Sequence, residues 1–146
     1  MAYCTVNDLK GAVSESTLIK LSNELGTATT INQTVVDQCI KRADDLINGY
    51  LRGGGYTVPL SPVPDIVNTW SVGLSLYELR TRRIEGEANE TLENKKKDII
   101  RQLKECQAGT LSLGIETAET GFQAGTYRVN KTSEDKQFNK DTLDQY

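Results

Sequence analysis

The stretch Tyr50-Leu51-Arg52-Gly53-Gly54-Gly55-Tyr56-Thr57-Val58-Pro59-Leu60 decides how the chain is read. It opens as the end of a helix. From Thr34 to Leu51 the apolar positions are Val35, Val36, Cys39, Ile40, Ala43, Leu46, Ile47, Tyr50 and Leu51, a broad stripe at steps of three and four. Asn32 is the expected N-cap. Asp37, Lys41, Asp44 and Asp45 fall largely on the other side and are read as water-facing. Gly53 is read as the residue that ends the helix in a left-handed conformation. Pro59, Pro62 and Pro64 are the chain's three prolines, so Tyr56 to Val63 is expected to be extended, with Pro64 opening the next helix.

A glycine triplet also raises the question of a phosphate loop. The P-loop pattern needs a lysine and a hydroxyl that open a helix after a strand. Here the glycines follow a helix and no lysine comes next. A dinucleotide fingerprint fails on spacing. The triplet therefore reads as a flexible reversal between two antiparallel helices.

Two further long helices follow. One runs from about Pro64 to Ile84 and carries Ile66, Val67, Trp70, Val72, Leu74, Leu76, Tyr77 and Leu79, with Gly73, Ser71 and Ser75 small enough for another helix to approach closely. Its basic end, Arg80, Arg82 and Arg83, suits a helix C-terminus. The other spans roughly Asn89 to Ala108, with Leu92, Ile99, Ile100, Leu103 and Cys106 as its stripe and Gly109 as its stop. Lys95, Lys96 and Lys97 read as a solvated face. Upstream, Thr5 and Asp8 resemble a capping box for a short helix. Ser14 is a candidate cap for a second, Glu15 to Leu21. Residues 22 to 30 read as a loop.

Beyond Gly109 the composition turns to Gly, Thr, Ser and Asn, with weak strand-like alternation in TLSLGIET and GTYRV. This part holds six acidic residues (Glu116, Glu119, Glu134, Asp135, Asp141, Asp144) against four basic ones (Arg128, Lys131, Lys136, Lys140). It has too few large apolar residues for a core of its own and is expected to be either disordered in isolation or ordered by a partner. The fold class is thus mainly α: a small helical bundle, residues 1–109, with an extended Pro/Gly connector loop and an extended, partly β-like C-terminal tail, residues 110–146.

Composition excludes several functions. Of 146 residues, 17 are basic and 20 acidic, a net charge of −3 that is a poor footprint for a nucleic-acid binder. No apolar run reaches membrane-spanning length. The start of the chain lacks the order of a signal peptide, so the protein is expected to be made in the cytoplasm. There is no histidine, which removes the usual general base of serine and cysteine nucleophiles. Cys4, Cys39 and Cys106 are too few for a cysteine-only zinc site. They are read as reduced, with Cys39 and Cys106 in the core. No catalytic, metal or cofactor residues are assigned. The hydrophobic share of 37% suggests a thin core, as in an elongated body or a subunit completed by neighbours.

The order of features then becomes recognisable. Tyr3-Cys4-Thr5 with Asp8-Leu9 comes first. The helix Val35-Val36-Asp37-Gln38-Cys39-Ile40 with Ala43, Asp44, Ile47, Asn48, Gly49, Tyr50 and Leu51 follows. Then come Tyr56-Thr57-Val58-Pro59-Leu60, Pro64, and Leu76-Tyr77-Glu78-Leu79-Arg80. The chain ends in Phe138-Asn139-Lys140-Asp141-Thr142-Leu143-Asp144-Gln145-Tyr146. This resembles the small virion proteins of Mu-like prophages and the wider group of head–tail connector adaptors of tailed phages. The resemblance implies a non-enzymatic virion protein of the neck. It would form a ring of about twelve copies in closed cyclic symmetry. That ring would sit below the portal, extend the DNA channel, and dock the tail, a tail terminator, a stopper or the next neck protein. DNA would pass without sequence-specific binding. The expected partner-facing residues are Gly53, Gly54, Gly55, Tyr56, Val58, Pro59, Leu60, Arg80, Arg82, Arg83, Phe122, Tyr127, Phe138, Leu143 and Tyr146. The other reading left open is a small helical nucleic-acid-associated or regulatory protein acting through Arg80, Arg82 and Arg83.

Overall fold

The computed structural model describes residues 2–24, 26–82 and 90–115. Five helices occur among them: α1 Val6–Ala12, α2 Glu15–Ser22, α3 Gln33–Gly53, α4 Asp65–Thr81 and α5 Glu90–Gln107. The long helices α3, α4 and α5 pack on one another, and the short α1 and α2 lie against α3 and α4. No strand occurs among the described residues. The helical expectation holds. The expected β-like tail beyond residue 115 lies outside the described residues.

Local chemistry sets the helix starts. At α1 the Thr5 hydroxyl accepts from the Asp8 amide, and Asp8 accepts from the Thr5 amide at 2.7 Å, closing the capping box. Ser14 caps α2, and Asn32 caps α3 by accepting from the Val35 amide. The Pro64 carbonyl accepts from the Val67 and Asn68 amides at the start of α4.

The core has two clusters along α3 and α4. One joins Ile47, Leu51, Tyr56, Leu60, Val67, Trp70 and Leu74 to Ile99, Leu103 and Cys106 of α5. The other joins Val36, Cys39, Ile40, Leu76 and Leu79 to Leu9 of α1 and Leu18 of α2. Gly73 lets α5 approach closely, since a Cβ there would meet Ile99 Cδ1 at 2.7 Å. Trp70 is buried, and its indole N–H donates to Gln102 Oε1 at 2.6 Å. Tyr77 is half-buried beneath Lys96, whose ammonium lies 3.9 Å from the ring centroid, so this lysine is not merely solvated. All three cysteines are free and buried, Cys4 included.

The triplet differs from a flexible reversal. Helix α3 runs through Gly53, and Gly54 is its C-cap with φ −88°. The left-handed residue is Gly55, at φ +80°, not Gly53. The Gly55 amide donates to the Arg52 carbonyl, and the Tyr56 amide to the Leu51 carbonyl. This is a Schellman closure, and the buried pair Leu51 and Tyr56 supplies its hydrophobic contact. The other two glycines answer to space. A Cβ on Gly54 would meet the Cys106 carbonyl oxygen at 2.9 Å and Gln107 Cα at 3.1 Å, and one on Gly53 would meet the Gln107 side chain. The triplet is a packed junction between the ends of α3 and α5.

The body also extends past Gly109. Leu111, Leu113 and Ile115 pack against the larger core cluster, and the Leu113 amide donates to the Tyr56 hydroxyl at 3.4 Å.

Candidate functional site

Asp44 departs most from its sequence reading. It is 6% exposed. It lies four residues after Ile40 and three before Ile47, on the apolar stripe, and the N-terminal segment covers it. One carboxylate oxygen accepts from the Tyr3 amide at 2.9 Å and the other from the Ser71 hydroxyl at 2.6 Å. Cys4 Sγ lies 3.1 Å from that hydroxyl and 3.8 Å from the Ser75 hydroxyl.

The clasp continues along α3. The Tyr3 hydroxyl donates to Asn48 Oδ1 and accepts from the Leu60 amide at 3.0 Å. Asn68 of α4 donates to the Tyr3 carbonyl at 2.9 Å and reaches Asp8 Oδ2 at 3.4 Å. Tyr3 and Cys4 thereby tie together α3, α4 and the proline connector. Among the described residues, no buried side-chain nitrogen or oxygen lacks a partner.

Burial pushes the Asp44 carboxyl above its ordinary value, against the opposing pull of the hydrogen bonds from Ser71 and Tyr3. Burial likewise raises the Tyr3 phenol and the Cys4 thiol. A thiol held protonated is a poor nucleophile. Asp8 goes the other way, because the Thr5 amide and hydroxyl hold it below the ordinary carboxylate range.

Beside the clasp lies a groove of about 620 Å³ between the N-terminal segment, α3 and the connector. Ala2, Val6, Ile40 and Pro59 form apolar walls, with the exposed Asp37 and Asp45 among its lining.

The residues expected to face partners are scattered by the fold. Gly53, Gly54 and Gly55 form the junction with α5. Tyr56 and Leu60 are 7% and 2% exposed, so their side chains belong to the core and not to an outer face. Val58 is half-buried, and Pro59 is exposed at the groove. Arg82 is spent within the chain: its guanidinium donates to the Leu21 carbonyl at 3.0 Å and the Ser22 carbonyl at 3.3 Å, at the C-terminus of α2. Arg80 is half-buried near the end of α4. Arg83, Phe122, Tyr127, Phe138, Leu143 and Tyr146 lie outside the described residues. Among the described residues no three metal-ligating side chains come together, and no helix is long and apolar enough to cross a membrane.

A helical body whose N-terminal segment is clasped between α3 and α4 is what the chain presents, and its sequence has relatives. Residues 3–131 match the family described as Bacteriophage Mu, Gp36, and the chain belongs to that family. It is 30% identical over 97 residues to the Mu-like prophage FluMu protein gp36 of Haemophilus influenzae. That match covers 64% of this chain and 65% of the relative. Family membership points to a structural or morphogenetic phage protein.

Proposed function

We propose that the protein is a non-catalytic head–tail connector adaptor. Copies of it form a ring below the portal, extend the DNA channel and dock the tail or the next neck protein. The observation that carries this reading is where the characteristic residues go. Tyr3, Asp44 and Asn48, and the backbone of Leu60, all belong to the sequence pattern by which the chain resembles connector adaptors. In the fold they bond to one another or to α4. Their polar atoms are consumed in holding a shape, as in a building block, and leave no convergent set aimed at a substrate. The Arg-cluster alternative is weakened by Arg82, whose guanidinium is already engaged by two carbonyls.

The test is native mass spectrometry and cryo-EM of the full chain with and without portal. The expected result is a closed ring whose formation portal promotes, seated at the neck of the virion. A stable dimer with salt-sensitive DNA affinity would overturn the reading.

A further inference from the structure

We infer that the exposed face of α3 around Gly49 is a two-fold contact with a second copy of this chain. Helix geometry sets the face. Asp45 and Arg52 are two turns apart, so they point the same way about 10.5 Å from each other. Leu46 and Gly49 lie beside that line, and all four residues are exposed. Neither Asp45 nor Arg52 has an ion pair among the described residues, and they are too distant to pair with each other. Leu46 is 38% exposed, and only it and Ile66 are large apolar side chains left open among the described residues. A Cβ on Gly49 would meet nothing within 4 Å, so no packing within the described chain calls for a glycine at this disfavoured mid-helix place.

The order of the charges selects the occupant. Two α3 helices set antiparallel, with a two-fold axis at the level between Asn48 and Gly49, bring Asp45 of each copy level with Arg52 of the other. One surface thus supplies both halves of two ion pairs, as an isologous contact requires. A parallel pair would set Asp45 against Asp45 and Arg52 against Arg52. In the antiparallel pair Leu46 of each copy lies over the bare backbone at Gly49 of the other, and the missing Cβ lets the helices close. The neighbouring charges agree with this arrangement. Arg42 already has Glu78 at 3.9 Å. Lys41 comes level with the C-terminal end of the other copy's α3, the negative end of its dipole. One helix crossing is a small interface, so the dimer is a weak one, with a Kd on the order of 10–100 μM. A closed ring is built from head-to-tail contacts, so this two-fold contact belongs to the free chain. It does not rest on the connector reading, which turns on portal and DNA; either can fail alone.

Sedimentation equilibrium of the purified full chain at low salt, without portal, tests it. The unaltered chain should pass from monomer to dimer as its concentration rises to about 1 mM. Asp45→Arg and, separately, Arg52→Asp should each raise the Kd about tenfold with helical circular dichroism unchanged, because each sets like charges together twice. Mixing the two single variants should restore dimer to within about threefold, since each then supplies the charge that the other lacks. A monomer throughout overturns the inference, and so does a species larger than a dimer. Dimer that ignores both single variants, or that mixing does not restore, overturns it as well.

Discussion

The middle and the C-terminal end of α3 are held by different physics. Toward its middle, Asp44 and Asn48 grip the N-terminal segment through hydrogen bonds in a buried setting. At its C-terminus, Gly53, Gly54 and Gly55 meet α5 through shape alone, with a left-handed turn and two missing side chains. A polar junction is costly to break because each orphaned donor keeps its desolvation cost. A steric junction is graded, because its cost depends on whether the struck neighbour can move. The two junctions should therefore respond differently to single substitutions.

The largest effect should come from Asp44→Ala. It strands the buried Tyr3 amide and Ser71 hydroxyl, and on the order of 3 kcal/mol of stability should be lost. Urea unfolding measures it; a loss below about 1 kcal/mol would mean that the clasp is ornamental. Tyr3→Phe removes only the hydroxyl and leaves the Leu60 amide without its acceptor. Its cost should be about 1–2 kcal/mol.

The glycine junction should give an ordered series. Gly54→Ala drives a methyl into the backbone of Cys106 and Gln107 and should cost about 1–3 kcal/mol. Gly55→Ala meets the left-handed φ of +80° and should cost about 1 kcal/mol. Gly53→Ala meets the Gln107 side chain, which can swing aside, and should stay within about 0.5 kcal/mol of neutral. A flexible reversal would tolerate all three alike, so equal midpoints across the series would erase the distinction between the two junctions.

The two junctions also differ in how far they are legible in sequence. The helices were readable because α3 and α5 carry periodic stripes and α1 to α3 carry cap residues. Close approach at Gly73 was readable for the same reason, a small residue amid large ones. The role of Asp44 was not. An aspartate beside Asp45 on a helix looks water-facing, and what buries it is Tyr3, forty-one residues away. Its one available signal was position, since it sits in register with Ile40 and Ile47. The triplet was ambiguous because the sequence does not show that the end of α5 crosses it, and the same blindness hid the inward turn of Tyr56 and Leu60. Arg82 illustrates the reverse: a cation at a helix end was expected, but at the end of its own helix rather than that of α2.

The smallest effect is a pH signature within the clasp itself, where Asn68 links the Tyr3 carbonyl to Asp8. Asp44 is held above its ordinary value of 3.8, first by burial. In the folded chain it keeps its proton to a higher pH than in the unfolded chain. Its linkage term is therefore fully present below 3.8 and is lost as pH rises through the folded value. Asp8 is held below 3.8, first by the Thr5 amide, so its term is present above 3.8 and is lost as pH falls through the folded value. The two carboxylates thus give slopes of opposite sign on either side of 3.8. Urea unfolding measured between pH 3 and 7 should show that Asp8→Asn flattens the acid limb alone. Asp44→Asn, less stable throughout, should flatten the decline above 3.8 alone. If either substitution flattened the other's limb, the buried Asp44 and half-buried Asp8 would be titrating as one unit, and the clasp would extend through Asn68 to Asp8.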